Sequence, residues 1–419
     1  MADLENWQVL RSVFPPGWEQ LGRTSGAVKR LRGFTSLESL LRTLLMHVGC
    51  GWSLRETAVQ AKLAGIADVS DVTLLNRLRD SENWLRLLCQ QLWKQNGVEL
   101  GAVFHGRPMR LLDATVVKEP GQTGSQWRIH YSLRLPTLEC DCFDLTSTRG
   151  ADTAERFGRF SFQAGELVLA DAGYCHPAGI AAVARQQADV CVRLNPHALP
   201  LWNASGEPFA LLECLAKLRC AGEVAEWPVS VRSGEAEVSG RVCAIRKSRE
   251  AIKRARRRLD IKQQNGKSVG PETRKYAKYV LVFTTLSATE ASTEQILEAY
   301  RLRWQVELTF KRLKSIAQIG HVPKQDDQSS RAWLYGKLFV ALLSQKLAQV
   351  GRAISPGATS CKKPRTRSPW REFQFLFHQI LAAINPPLLL QAVLQSWNQV
   401  AAALSQPSRK RRPQLESLS

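Results

Sequence analysis

Three acids stand where an acid is costly or conspicuous. Asp113 lies inside the apolar run Leu111-Leu112-Asp113-Ala114-Thr115, and Asp171 closes another, Leu167-Val168-Leu169-Ala170, just before Ala172-Gly173. A charge in such a place must be paired or bind a cation. Either aspartate alone has a local explanation, since Asp commonly caps turns. Two such runs on neighbouring parallel strands would bring the carboxylates together, and a divalent cation would relieve their repulsion. The third acid belongs to the series Tyr300, Arg303, Glu307 and Lys314. At about 100° per residue these fall within roughly 60° of arc on one helix face, and Lys311 joins them. Leu302, Val306 and Leu313 share another face and would pack inward. The plainer reading is a solvated face with ordinary pairs such as Glu307–Lys311.

The elements that must hold these residues divide the chain. Residues 1–105 read as helical, with Leu37, Leu40, Leu41, Leu44 and Leu45 at helical spacing. Ser53-Leu54-Arg55-Glu56 is a capping box opening a second helix, and Ser70 starts a third that carries Thr73, Asn76, Arg77 and Arg79. The pair resembles a helix-turn-helix; a helical bundle without DNA contact explains it equally. Residues 106–195 read as strands at Met109–Val117, Arg128–Leu135, Phe143–Thr148, Leu167–Ala170 and Val190–Leu194, with a helix over Pro177–Gln187. This is an α/β pattern. Residues 196–278 interrupt it with short alternating stretches and a basic segment. Tyr279–Thr285 returns as a buried strand, residues 291–318 read as one helix, and the division 279–350 closes the core. Residues 351–419 form a helical C-terminal region ending in the basic tail Arg409-Lys410-Arg411-Arg412.

Charge narrows the class of partner. The 419 residues carry 58 basic and 37 acidic side chains, a formal net charge of +21. Such an excess favours a polyanion, nucleic acid above all. Between Arg246 and Lys278 the net charge is +10, dominated by Arg254, Arg256, Arg257 and Arg258. A cluster of this kind neutralises phosphates and makes binding salt-dependent; the alternative is a solvated helix face. No stretch of 18 uncharged apolar residues exists, so no membrane partner is expected. The N-terminus has no apolar signal region, and the ten cysteines contain no C-x-x-C pair. Together these predict a cytoplasmic chain with reduced cysteines and no zinc site.

Asp113, Asp171 and Glu307 with the Tyr-Arg-Glu-Lys series resemble the DDE transposases of bacterial insertion sequences, in particular the insertion-sequence-four family. The stretches Trp127-Arg128-Ile129-His130, Leu169-Ala170-Asp171-Ala172-Gly173-Tyr174, Tyr300–Glu307 and Phe310–Ser315 carry the match, which covers about residues 35–350. Many members have Arg after the second aspartate, where this chain has Ala172. The resemblance implies an RNase H-like core interrupted before the Glu helix by a mainly β insertion, with helical N- and C-terminal regions. The 136 positions between Asp171 and Glu307 leave room for residues 196–278 as that insertion.

The chemistry implied is cleavage and strand transfer on double-stranded DNA, at element ends and at a target. Two Mg²⁺ ions, or Mn²⁺ as substitute, would be held by Asp113, Asp171 and Glu307. Arg303, Lys311 and Lys314 would hold phosphates and Tyr300 would pack against the DNA end. Tyr279 and Trp304 would serve a base that leaves the stack during hairpin formation. His130 is either part of the family pattern or an ordinary strand histidine. A homodimer in the DNA complex and a nucleoid location follow from the same resemblance. Two alternatives remain: a metal-dependent nuclease without strand transfer, and a domesticated DNA-binding protein.

Overall fold

The computed structural model describes residues 2–28, 30–95, 104–118, 126–135, 139–148, 154–324, 326–354, 369–388 and 390–404. The tail Arg409–Arg412 and Cys361 lie outside the described residues. Two compact units result, one within Met1–Asn96, Lys118–Ser125 and Arg312–Ser419, the other within Gly97–Val117 and Gln126–Lys311.

The second unit is built on one sheet. Its strands are β1 (Met109–Lys118), β2 (Gln126–Leu135), β3 (Glu139–Ser147), β4 (Leu167–Ala170), β5 (Asp189–Arg193), β6 (Val224–Ser233), β7 (Ala236–Arg246) and β8 (Tyr279–Thr284). They lie in the order β3-β2-β1-β4-β5-β8-β7-β6. β1, β4 and β5 run parallel, and β2 pairs antiparallel with β3. The short apolar run of β4 is buried along its whole length, as a strand covered on both faces must be. β8 pairs antiparallel with β5 on one side and β7 on the other, so the hairpin β6–β7 continues the same sheet. Gly234, at φ 59°, supplies the left-handed residue that its two-residue turn requires. Gly240 on β7 leaves room for the Phe283 ring and the Thr284 carbonyl of β8; a Cβ there would lie 2.6 Å from each.

The same unit carries α7 (Pro177–Ala184), α8 (Leu211–Ala216), α9 (Arg249–Gln264), α10 (Pro271–Tyr276), α11 (Thr293–Arg301) and α12 (Trp304–Ser315). The last residues of α12 belong to the first unit. Residues 196–278 thus hold α8, α9 and α10 besides the β6–β7 hairpin, and the basic cluster rides on α9, which buries no residue.

The expected single helix over 291–318 is broken at Leu302–Arg303, and this corrects the one-face reading of Tyr300 through Lys314. The backbone there tightens to i→i−3 bonds, Arg303 to Tyr300 and Val306 to Arg303. The break accompanies burial on two sides of the chain. An unbroken helix would set Tyr300 and Val306 about 120° apart around its axis, yet both are buried.

The first unit is helical: α1 (Ala2–Ser12), α2 (Trp18–Thr24), α3 (Leu37–Cys50), α4 (Leu54–Leu63), α5 (Asp71–Asp80), α6 (Glu82–Gln95), α13 (Asp327–Ile354), α14 (Pro369–Ile384), α15 (Leu390–Gln395) and α16 (Trp397–Leu404). α3, capped by Ser36 and ended at Gly51, is buried over most of its length. It packs on α13, whose Gly336 admits Val48 at close range. Ser53 and Ser70 cap α4 and α5 through the backbone N–H groups of Glu56 and Thr73. Arg77 and Arg79 of α5 are engaged inside the unit, with the Arg30 carbonyl and with Asp326. Among the described residues no helix is long and apolar enough to cross a membrane, and nine cysteines are free thiols.

Candidate functional site

The pairing of β1 with β4 brings the two aspartates together. Leu112 pairs with Ala170, so the next position on each strand is Asp113 and Asp171. Asp113 stays on the strand, its Oδ1 accepting from the Ala114 N–H at 2.8 Å. Asp171 caps a 3₁₀ turn, Ala172–Tyr174, with its carbonyl taking the Tyr174 N–H at 3.0 Å. Tyr174 is fully buried against Phe157 and anchors that turn. Burial pushes the Asp113 carboxyl up to about 6; the Ala114 N–H and Arg303 pull it down, while Asp171 and Glu155 add to the rise.

The break between α11 and α12 brings three more of the expected residues to these acids. Tyr300, at the end of α11, donates its hydroxyl to Asp171 Oδ1 at 3.5 Å. Burial holds its phenol well above the usual range, so it remains a donor. Arg303 sits at the corner. One guanidinium nitrogen lies 3.8 Å from Asp113 Oδ2 and the other bonds Glu307 Oε1 at 2.6 Å. Glu307 is therefore turned toward Arg303, with more than half its side chain exposed. Lys311 is exposed one turn further along α12, and Lys314 follows in the last turn.

The remaining expected residues lie elsewhere. Trp304 is exposed beside the corner. Tyr279 opens β8 and is buried in the apolar cluster beneath the sheet, its hydroxyl accepting from Arg246 at 3.2 Å. Arg254, Arg256, Arg257 and Arg258 are exposed on α9. His130 is fully buried, with Nε2 2.9 Å from Thr146 Oγ1, as an ordinary strand histidine would be.

The donor set suits a hard divalent cation: paired carboxylate oxygens, one of them raised in pKa by burial, with a third carboxylate held one arginine away. In the present conformation Arg303 supplies the countercharge, and among the described residues no three acids, histidines or cysteines gather as a ready-made metal cluster. Sequence reasoning assigned no role to Glu155 or Arg128, which lie beside the Asp171 turn with Arg128 Nη1 3.3 Å from Glu155 Oε1. The one signal for them was Gly173, a residue without a side chain two positions after an expected site acid.

Known proteins of similar sequence share one family. A family profile described as "Transposase DDE domain" matches residues 146–343, a stretch that includes Asp171 and Glu307. The protein InsL of insertion sequence element IS186A from Escherichia coli K12 is 32% identical over 368 residues, covering 86% of this chain and 98% of InsL. The transposase for insertion sequence element IS421 of Escherichia coli is 31% identical over 369 residues, with the same coverage. The transposase for IS231C of Bacillus thuringiensis is 23% identical over 387 residues, 80% of this chain and 78% of its own. With a relative of this identity matched almost end to end, the chain belongs to the DDE transposases of insertion sequences, enzymes that cleave DNA and transfer the cut strands.

Proposed function

We propose that the chain moves its own element by cut-and-paste transposition. It binds the terminal inverted repeats as a homodimer on double-stranded DNA, frees each 3′ end by hydrolysis, and passes through a hairpin before joining target DNA. The reading includes the insertion-sequence-four family label, a nucleoid location in the cytoplasm, and an RNase H-like core. The strand order β3-β2-β1-β4-β5 with its parallel trio supports that core. The single observation that carries the proposal is the β1–β4 register, which sets Asp113 and Asp171 side by side with Tyr300 and Arg303 upon them.

Asp113, Asp171 and Glu307 would hold Mg²⁺, or Mn²⁺ in its place. Such ions activate an attacking oxygen and neutralise charge on the leaving one. The chain's own residues supply the rest. The paired strands fix the two aspartates, and Tyr300 orients Asp171 by its hydroxyl. Arg303, which lies by Asp113 and bonds Glu307, would be free to contact a DNA phosphate if a cation balanced those acids instead. Lys311 and Lys314 on α12 and the four arginines of α9 add phosphate contacts of the kind that position DNA without reading it. For the base that leaves the stack, Trp304 is available as it stands, whereas Tyr279 must first leave its apolar cluster.

The test is incubation of the protein with its own flanking DNA and Mg²⁺. End-specific nicking, a hairpin intermediate and joining of the 3′-hydroxyl end to a target are expected. Nicking without joining would reduce the chain to a nuclease and overturn the proposal.

A further inference from the structure

Glu155 stands between β3 and β4, two residues before the short 3₁₀ turn Phe157–Arg159. Its carboxylate is divided between two neighbours. Oε1 takes the long 3.3 Å contact from Arg128 of β2. Oε2 lies over the backbone of Gly173, in the space that a Cβ on that residue would fill. Gly173 is the second residue after Asp171, so only a glycine leaves this carboxylate its place at the turn that presents Asp171. The Glu155 carbonyl accepts from His176 Nε2 at 2.8 Å, which ties the backbone to the start of α7. Glu155 is thereby held beside Asp171 with its charge facing a like charge, an arrangement that costs energy unless a cation is shared.

We propose that Glu155 is a fourth acid of the cation-holding set, acting beside Asp171 across the Gly173 turn. The inference rests on the reading of Asp113, Asp171 and Glu307 given above. Two observations favour it over a purely structural Arg128–Glu155 pair. First, Arg128 engages only one oxygen and at long range, where a dedicated arginine–carboxylate pair is short and bidentate. Second, the other oxygen, Oε2, lies at the Gly173 turn that presents Asp171 and not on Arg128. With Glu155 included, four carboxylates match the charge of two divalent ions. Arg303 and Arg128 then become available to phosphate.

The experiment is calorimetric titration of the full-length, DNA-free chain with Mn²⁺, comparing the wild type with Glu155→Gln and Asp171→Asn. Glu155→Gln keeps size and hydrogen bonding but removes the charge. It is expected to weaken Mn²⁺ binding about 10–100-fold. Wild-type Mn²⁺ affinity in Glu155→Gln, with binding lost in Asp171→Asn, overturns this inference alone. Wild-type affinity in Asp171→Asn overturns the three-acid reading itself. If Glu155→Gln does not fold, Gly173→Ala takes its place, because its methyl displaces the carboxylate without removing it. The same loss is then expected, and its absence overturns the inference.

Discussion

Each acid of the proposed site is held differently: Asp113 by the Ala114 N–H, Asp171 by the Tyr300 hydroxyl and Glu307 by Arg303. Asp113→Ala, Asp171→Ala and Glu307→Ala are each expected to abolish nicking, read on a labelled element end, while a gel-shift assay without metal retains DNA binding. An Asp variant that nicks at the wild-type rate would remove that residue from the catalytic set. Asp113 also carries a stability cost. Its carboxyl is raised from 3.8 to about 6, chiefly by burial. A raised carboxyl favours the folded state below the unfolded value, and that contribution is lost as pH rises through 6. Metal-free Asp113→Asn should therefore be more stable than wild type at pH 7–8, by on the order of 2–3 kcal/mol. The advantage should disappear below about pH 4. Thermal denaturation across that range checks the sign, and a wild type more stable at pH 8 would refute it. Trp304→Ala should slow hairpin closure more than first-strand nicking, since stacking offsets the cost of an unstacked base by about 1–3 kcal/mol. A fluorescent analogue near the DNA end reports this, and equal slowing of both steps would count against it.

At the scale of elements, the sheet and the broken helix pair do the positioning. The parallel pairing of β1 with β4 fixes which residues of two distant segments become neighbours, and a slip of one residue would turn Asp113 to the other face. The far half of the sheet depends on close approach between β7 and β8. Gly240→Ala should cost about 1–3 kcal/mol because its methyl meets the Phe283 ring and the Thr284 carbonyl. Chemical denaturation measures it, and an unchanged midpoint would show that β8 yields without cost. The corner at Leu302–Arg303 was not legible in the sequence. Helical periodicity runs through it without a Pro or Gly to mark it, and Tyr300 and Val306 are buried on either side of the break. The capped starts of α4 and α5 were more legible, because a serine bonding the N–H three residues on is a local device.

For the whole molecule the governing quantity is charge. The net +21 is concentrated on surfaces such as α9, where Arg254, Arg256, Arg257 and Arg258 stand exposed on a helix that buries nothing. Neutralising all four should flatten the dependence of log K on log salt for DNA binding, by about 0.9 for each phosphate that is no longer neutralised. Fluorescence anisotropy over a salt series gives the slope, and an unchanged slope would make this helix a solvated surface only.

The sequence by itself determined which acids stand as candidates, the apolar runs that carry the aspartates, the caps that start α4 and α5 and the sign of the charge. Each of these is a local property, readable within a turn or a strand. Only the tertiary structure decided which segments meet. It set β1 beside β4, joined the β6–β7 hairpin to the core sheet through β8, and seated Glu155 on Gly173. It also took Lys337, which in sequence merely flanks an apolar run, and buried it against the Gly49 carbonyl and the Trp333 ring. Pairings between residues far apart in the chain depend on how much apolar surface each one removes from water. That sum is not written in any single stretch of the chain.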